Sequence, residues 1–297
     1  MINPLPRLPE FQFIKLDTLE STLQFLIENS DAARPYLGGT DLLVAMRDRR
    51  THPKFLVSLS HLEGFDALTF DAELGLNIGA AVNLNQLIVS KAIQTHYPVL
   101  ALSARQVGGY QLRNRATLVG NLCNASPCGD TIGPSILYQG KAIIVGPTGM
   151  RSVGLNNFFT GPGKTVLSAG EIVTSIYFPI PPVPQKGTYL CIGRNKLADL
   201  AAVGVTVLAH PDDTLPSGFQ FKIALSAVSP TVIVVEEAQA LLAEQPISES
   251  SFEAAAQIAR QNCKPINDIR ASESYRRDMV YTLTLRALQQ TWLAIQP

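Results

Sequence analysis

The chain has 297 residues, which is enough for one large or two ordinary domains with substantial cores. Its 24 basic residues balance its 24 acidic residues, so no excess of positive charge indicates a nucleic-acid partner or an anionic membrane surface. Hydrophobic residues make up 46% of the chain and charged residues 16%, a composition that fits a globular protein whose surface is partly covered by other subunits.

Short strands and helices are predicted to alternate through the first 180 residues. Asp17 with Glu20 three residues later is a capping-box pattern that predicts a helix ending near Glu28. Asn83 with Gln86 repeats the pattern and predicts a helix through Ala92. The other predicted elements are strands at 11–16, 55–59, 74–82, 141–145 and 171–178 and helices at 42–46 and 99–104.

A cluster of prolines predicts a domain boundary. Pro179, Pro181, Pro182 and Pro184 stand within six residues, and no regular element tolerates that spacing. Beyond them, apolar runs at 200–209 and 219–228 predict strands, and the patterns at 238–244, 250–262 and 272–295 predict helices.

The compartment and the membrane topology are predicted from absent signals. The N-terminus has no basic segment followed by an apolar one, so no signal peptide is expected. The apolar runs have the length of strands and are too short to cross a bilayer. Four cysteines are too few for a disulfide scaffold. We therefore expect a cytoplasmic protein without a membrane span.

The most unusual run, RNRATLVGNLCNASPCGDT at 113–131, is predicted to be a long loop, because no apolar stripe of helical period runs through it. It concentrates short polar side chains around a glycine that allows close backbone approach. Two interpretations stay open, a ligand-binding segment and a well-hydrogen-bonded surface loop. The polar residues are Thr117, Asn121, Asn124, Ser126 and Asp130.

A second candidate loop contains Gly38 and Gly39 beside Thr40 and Asp41. Paired glycines can expose successive N–H groups to phosphate oxygens, although they also mark plain turns. The run is neither a G-x-G-x-x-G fingerprint nor a Walker A motif. A third glycine-containing run, FFTGPGKT at 158–165, is predicted to be a surface turn rather than a phosphate site.

The residue inventory argues against chemistry carried by protein side chains. The four histidines lie outside the candidate loops, and no G-x-S-x-G nucleophile motif occurs. Cys123 and Cys128 have a C-x4-C spacing, but no further cysteine follows closely, so we interpret them as small buried thiols rather than iron–sulfur ligands.

Eight segments, in this order along nearly the whole chain, resemble the FAD-binding medium subunit of the molybdenum hydroxylases, the xanthine dehydrogenase and aerobic carbon monoxide dehydrogenase family. The resemblance implies an α+β fold with two domains. The first, over 1–180, would be a two-lobed FAD-binding domain of the PCMH type, with lobes of about 1–60 and 61–180. The second, over 187–297, would be a smaller C-terminal domain of the carbon monoxide dehydrogenase flavoprotein type, built from an antiparallel sheet plus helices. The segments are GGTDLL (38–43), IGAAVNLNQL (78–87), RNRATLVGNLCNASPCGD (113–130), FFTGPGKT (158–165), EIVTSIYFP (171–179), RNKLADLAAVGV (194–205), ALSAVSPT (224–231) and NDIRASESYRR (267–277).

The resemblance also implies FAD as the cofactor and assigns residues to it. Two loops would wrap the pyrophosphate with main-chain N–H groups, helped by the Thr117 hydroxyl and the Asn121 amide. Other residues would add polar or aliphatic contacts, and no catalytic or metal-ligating residue is implied. The implied FAD contacts are Leu37, Gly38, Gly39, Thr40, Asp41, Leu42, Thr117, Leu118, Val119, Gly120, Asn121, Asn124, Asp130 and Val173.

Two positions depart from the family pattern. Val119 stands where the family usually has a glycine, so we expect a changed φ angle or a displaced pyrophosphate. Cys191 stands where relatives often carry a lysine that faces the flavin, and Arg194 or Lys196 are candidates to compensate. The arginines at 270, 276 and 277 also follow the family pattern and are expected to form a solvated or salt-bridged helix start.

The implied function is electron transfer within a hetero-oligomer. A molybdenum-cofactor subunit would oxidise the substrate, a [2Fe-2S] subunit would relay electrons, and this chain would pass them to NAD, a quinone or oxygen, with two copies of each subunit. Two alternatives stay open. One is a stand-alone flavin reductase of related fold, such as the enolpyruvyl-sugar reductases, and the other is a nucleotide-binding scaffold subunit without turnover.

Overall fold

The structure is a computed structural model that describes residues 7–195 and 199–296. Its strands are β1 (Gln12–Ile14), β2 (Ala33–Tyr36), β3 (Phe55–Ser58), β4 (Leu68–Asp71), β5 (Gly75–Gly79), β6 (Lys141–Gly146), β7 (Gly149–Gly154), β8 (Phe159–Gly161), β9 (Lys164–Thr165), β10 (Ile172–Phe178), β11 (Lys186–Ile192), β12 (Val203–Pro211), β13 (Phe219–Ser226) and β14 (Ile233–Val234). Its helices are α1 (Leu19–Glu28), α2 (Leu42–Arg47), α3 (Leu84–Val89), α4 (Lys91–His96), α5 (Pro98–Ala104), α6 (Tyr110–Arg113), α7 (Leu118–Asn124), α8 (Ile132–Leu137), α9 (Glu236–Glu244), α10 (Glu249–Asn262) and α11 (Glu273–Ile295).

The first sheet is parallel, with the strand order β1-β3-β2. Its central strand, β3, buries Leu56 and Val57, while α1 connects β1 to β2. Helix α1 is capped by Thr18, whose Oγ1 accepts a hydrogen bond from the Ser21 N–H at 3.1 Å. The predicted cap at Asp17 is therefore wrong by one residue, because a threonine hydroxyl satisfies the free N–H group instead.

The second sheet is antiparallel, with the order β4-β5-β10-β6-β7. Residues that alternate along β5 and β10 point into one core, as Ile78 and Ile176 do from paired positions. The predicted capping box of Asn83 and Gln86 is confirmed, since both of its hydrogen bonds measure 2.9 Å. The helix that it starts ends at Val89, because Ser90 takes an extended conformation and a separate helix, α4, follows.

The third sheet is antiparallel, with the order β11-β12-β13-β14. Strand β12 is buried on both faces from Val203 to Ala209. Val205 and its alternate neighbours pack in a core shared with α9, α10 and α11, whereas Leu208 on the opposite face belongs to the core of the N-terminal sheets. A strand that is buried on both faces has a continuous apolar sequence, and for this reason β12 was predictable from sequence.

We propose that the chain divides as expected from the sequence, with one domain over 1–180, lobes that meet near residue 60, and a second domain over 187–297. Residues 179–185, all of them described, contain no helix or strand. The first sheet ends at Ser58 and the second begins at Leu68, which supports the division into lobes.

The central run is not the long loop predicted from sequence. It contains helix α7, which follows Thr117 as its N-cap, and it leads into α8. Leu118 and Leu122, four residues apart, are both fully buried and hold α7 on the core. The prediction is wrong because this short helix is held by a few buried apolar residues and by tertiary packing, not by a repeated stripe. Strands β2, β4, β7 and β11 and helices α6 and α8 were also not predicted.

None of the helices in the described ranges combines the length and the apolar composition needed to cross a membrane.

The start of α11 contains a buried arginine. Arg276 is 1% exposed, and its Nη1 donates to the carbonyl oxygens of Ala202 at 2.7 Å and Ala227 at 2.8 Å. Its Nη2 donates to Asp268 Oδ1 at 2.7 Å. Of the two expected alternatives, a solvated or a salt-bridged helix start, Arg276 takes the second, and it is buried. Its hydrogen bonds join the residue before β12, the residue after β13 and the loop before α11.

Asp268→Ala should lower the free energy of unfolding by about 2–4 kcal/mol, because the buried Arg276 guanidinium would lose the carboxylate that pairs with it. Urea unfolding followed by circular dichroism measures this change. Asp278→Ala is the control, since it removes the partner of Arg260 in a pair whose side chains are 42% and 58% exposed and should cost less than about 1 kcal/mol. Equal losses in the two variants would contradict the structural role of Arg276.

Candidate functional site

A cleft of about 1230 Å³ is lined by both candidate loops. Residues from β10 and from the C-terminal domain complete its walls. All but one of the residues assigned from sequence line it, namely Leu37, Gly38, Gly39, Thr40, Asp41, Leu42, Thr117, Val119, Gly120, Asn121, Asn124, Asp130 and Val173. The exception is Leu118, which is fully buried in the hydrophobic core. The structure thus brings together segments that lie up to 136 residues apart, from Leu37 to Val173.

The first loop connects β2 to α2 and lies directly against the residues that precede α7. A Cβ atom at Gly38 would overlap the carbonyl oxygen of Arg115, so the two backbones meet at a distance that only glycine permits. Gly39 has a φ of +70° and is covered by the Tyr36 ring, so a side chain is disfavoured there by both conformation and space.

The second loop is fixed by its own hydrogen bonds. Thr117 Oγ1 accepts from the Gly120 N–H at 2.9 Å, which leaves the hydroxyl proton free to be donated. Val119 is the second residue of α7, is 2% exposed and does not have a positive φ. The expected backbone conflict at Val119 therefore does not arise, because an ordinary helical residue suits the position.

Asn121 is oriented by a neighbouring threonine. Its Oδ1 accepts a hydrogen bond from Thr131 Oγ1 at 2.7 Å. Since the amide oxygen is engaged by the protein, the amide nitrogen remains as a donor at the cleft wall.

Helix α7 is followed by Ala125 as its C-cap, with a φ of +48°. The Ala125 carbonyl accepts a hydrogen bond from the Gly163 N–H at 2.9 Å. The FFTGPGKT run is thus the β8–β9 hairpin, tied to the end of α7.

Asp130 is a buried acid at the cleft. It is 7% exposed, and its Oδ1 accepts a hydrogen bond from the Tyr189 hydroxyl at 2.6 Å. Burial raises the pKa of Asp130 to about 6, against the lowering effect of the Tyr189 hydrogen bond. Burial also raises the pKa of Tyr189 well above its usual value, so the hydroxyl stays a donor. Sequence reasoning missed Tyr189, which no motif marks.

The C-terminal domain supplies Asp199, Leu200 and Arg270 to the cleft wall. The Arg270 Nη1 lies 3.2 Å from Asp268 Oδ2 and 3.7 Å from Cys128 Sγ. These lining residues were also missed, although Arg270 belongs to a family segment that was interpreted as structural. Asp199 and Leu200 directly follow the part of another segment that lies outside the described residues.

Cys191 does not line the cleft in the described part of the chain. Burial, with the nearby Asp130 carboxylate, raises the pKa of Cys191 to about 11, so this position holds an uncharged thiol at neutral pH. Of the two proposed substitutes, Arg194 pairs with the cleft residue Asp199 at 3.8 Å, and Lys196 lies outside the described residues.

Both cysteines of the C-x4-C pair line the cleft. Burial raises the pKa of Cys123 to about 12 and also raises that of Cys128, so both thiols stay protonated at neutral pH. Across residues 7–195 and 199–296, no group of three or more histidine, cysteine or acidic side chains is placed to hold a metal ion.

The lining combines polar and apolar surface and fits a large ligand of mixed polarity. The cleft exceeds the volume of typical pockets for small ligands, and two glycine-containing loops face it. Gly38 and Gly39 line the cleft, and a side chain at either position would overlap the protein itself, so this part of the wall is main chain, the kind of surface that binds phosphate in other proteins. The arrangement can therefore bind and orient a dinucleotide.

Gly38→Ala should lower the free energy of unfolding by about 3 kcal/mol, because the added methyl group forces the two loops apart. Thermal unfolding measures the loss. Gly109→Ala is the matched control, since the nearest atom to its Cβ would be the flexible Gln111 Oε1 at 3.6 Å, an ordinary contact. Equal melting temperatures for the two variants would contradict the loop contact described above.

Comparisons with known proteins agree with this geometry. Residues 9–181 match the family model of the FAD binding domain in molybdopterin dehydrogenase, and residues 188–291 match that of the CO dehydrogenase flavoprotein C-terminal domain. A putative xanthine dehydrogenase FAD-binding subunit of Escherichia coli K12 is 28% identical, with 92% of this chain and 93% of the relative covered. The carbon monoxide dehydrogenase medium chain of Hydrogenophaga pseudoflava is 27% identical, with 96% and 98% covered.

Solved structures show the same fold. Carbon monoxide dehydrogenase from Hydrogenophaga pseudoflava matches with a TM-score of 0.92 at 27% identity, over 97% of this chain and 99% of that one. Quinoline 2-oxidoreductase from Pseudomonas putida 86 matches with a TM-score of 0.90 at 25% identity, over 98% and 100%. The α+β fold class and the FAD cofactor predicted from the sequence are confirmed. The chain belongs to the family of FAD-binding subunits of the molybdenum hydroxylases, which includes those of xanthine dehydrogenase and carbon monoxide dehydrogenase.

Proposed function

We propose that this chain is the electron-transfer subunit of a molybdenum hydroxylase, which accepts electrons from a [2Fe-2S] subunit and passes them to a terminal acceptor. The observation that carries the proposal is a single large cleft lined by both glycine-containing loops, in a chain that matches such subunits over nearly its whole length. FAD, when bound, supplies the redox chemistry through its ring, without a protein nucleophile.

The main chain of the first loop, Leu37 to Leu42, would hold the pyrophosphate. Gly38 and Gly39 line the cleft without side chains, which supports this role, because main-chain groups then form that part of the wall. Thr117, Leu118, Val119 and Gly120 would contribute from the second loop. Leu118 does not line the cleft, and its contribution would be to hold α7 on the core and so fix the position of its neighbours.

Side chains along the cleft would orient the cofactor. The Thr117 hydroxyl oxygen accepts from Gly120 and the Asn121 amide oxygen accepts from Thr131, so the hydroxyl proton and the amide nitrogen would be the donors to the cofactor. Asn124 and Asp130 would add polar contacts, and Val173, 3% exposed on β10, would form an apolar wall that excludes water. All of these are binding roles, and none of them requires a general acid or base.

The partners are proposed from the relatives. A matching structure is described as carbon monoxide dehydrogenase that lacks the Mo-pyranopterin moiety of the molybdenum cofactor, and a curated relative is its medium chain. We propose a hetero-oligomer with a molybdenum-cofactor subunit and a [2Fe-2S] subunit, with two copies of each, located in the cytoplasm. The names of these relatives favour this function over a stand-alone reductase or a scaffold.

Protein purified from its native host should carry about one FAD per chain and co-elute with iron and molybdenum. We expect this composition because this chain would bind the flavin while its partners would hold the other redox centres. Absorption spectroscopy and metal analysis of the same fractions measure both. Colourless chain that stays flavin-free after incubation with FAD would overturn the cofactor assignment, and a fully active lone monomer would overturn the subunit assignment.

Asn121→Ala should weaken FAD binding by about 1–3 kcal/mol, because a hydrogen-bond donor to the cofactor is lost. Titration of flavin-free protein with FAD, followed by fluorescence, measures the dissociation constant. Thr131→Val is the control, since it removes the Thr131–Asn121 hydrogen bond but keeps the amide. A smaller loss in the control supports direct contact by the Asn121 amide, whereas an unchanged FAD affinity in Asn121→Ala would contradict the assigned role.

A further inference from the structure

We propose that Tyr189 of the C-terminal domain is a positioning residue for Asp130, and that its hydroxyl orients the carboxylate to accept a hydrogen bond from a hydroxyl group of bound FAD. The inference rests on the proposed function, because it assigns Asp130 to the FAD site. It adds that the C-terminal domain, through Tyr189, prepares a polar contact in a cleft whose phosphate-binding loops belong to the other domain.

The position of the Tyr189 hydroxyl is set by the third sheet. Tyr189 lies on β11, is 4% exposed and donates to Asp130 Oδ1 at 2.6 Å. Gly204 on the neighbouring strand, β12, makes room for it. A Cβ at Gly204 would lie 2.8 Å from the Tyr189 hydroxyl oxygen and would overlap Ser226 Oγ. The missing side chain at Gly204 therefore leaves room for the Tyr189 hydroxyl at the position from which it reaches Asp130.

A second contact holds the same segment of the cleft wall. The Ala227 N–H, at the end of β13, donates to the carbonyl oxygen of Pro127 at 2.7 Å. Ala227 has a φ of +64°, and its own carbonyl accepts from the buried Arg276 at 2.8 Å. The C-terminal domain thus holds the segment at two points, Pro127 and Asp130. The position of this segment, from Pro127 to Asp130, therefore depends on the packing of the two domains as well as on the segment's own hydrogen bonds.

Asp130 is the group that titrates near neutral pH in this cluster. The titratable groups around it in the described chain are Cys128 on its own segment, Tyr189 and Cys191 on β11, and Arg270 beyond Cys128. Burial raises the pKa of both thiols and of the phenol, so all three groups stay protonated below pH 8. Because the Tyr189 hydrogen bond lowers the pKa of Asp130, its removal should raise that pKa above about 6.

The test measures the dissociation constant of FAD between pH 5 and pH 8.5, using the full chain stripped of flavin. Binding to the wild type should weaken as the pH falls through about 6, where Asp130 loses its charge. In Tyr189→Phe the midpoint of this loss should move upward by about one pH unit, because a hydrogen bond to the charged form is missing. At pH 8.5 the two proteins should differ least.

Tyr97→Phe is the matched control. Tyr97 is fully buried and its hydroxyl donates to the Pro179 carbonyl at 2.9 Å, but the residue does not line the cleft. Its pH profile should equal that of the wild type. A loss of affinity in Tyr189→Phe that is uniform across the pH range would indicate a merely structural role and would overturn the inference.

Asp130→Asn supplies an independent check, because the amide does not titrate. This variant should bind FAD with a flat pH profile, and adding Tyr189→Phe to it should produce no further shift in the profile. A midpoint that remains in Asp130→Asn would overturn the inference while leaving the proposed function intact. A wild type that binds no FAD at any pH would overturn the proposed function itself, and this inference with it.

Discussion

The site depends on one close contact, the backbone of Gly38 against the backbone of Arg115 and Ala116. It joins a loop that leaves the parallel sheet to the segment that begins α7. The same segment is bound on its other side to the start of α3, where the Leu84 N–H donates to the Ala116 carbonyl at 2.9 Å. The two loops are therefore held between two sheets, and their exposed backbone faces one shared cleft.

Elements with a strong local pattern were predictable. The buried run of β12 and the capping box at Asn83 carry their signal within a few residues, so their prediction needs no tertiary information. Helix α7 has no such signal. Its sequence is rich in asparagine and glycine, which favour turns, and its buried apolar residues are Leu118, Val119 and Leu122. Packing against the core overrides these preferences, and sequence alone does not reveal that packing.

The residues of the site likewise fall into a group that was predictable from sequence and a group that was not. The glycine-containing loops were recognised because their residues are consecutive and unusual, and nearly all of the assigned residues do line the cleft. The wall from the C-terminal domain was not predictable, since Arg270 reaches the cleft from a position 140 residues beyond Asp130 in the sequence. Arg276 shows the same limit: its residue type predicts solvent exposure, but three acceptors from separate segments allow it to be buried.

Strand β12 explains why the two domains act on one site. Because its faces belong to two different cores, the third sheet cannot separate from the N-terminal domain without exposing Leu208 and its neighbours to water. The interface is thus apolar at its centre, and the polar contacts to Pro127 and Asp130 lie beside it. Burial raises the cost of charge on Asp130, and a hydroxyl donor from the same sheet offsets part of that cost. The apolar packing therefore fixes the distance between the Tyr189 hydroxyl of one domain and the Asp130 carboxylate of the other, and this distance influences the pKa of Asp130.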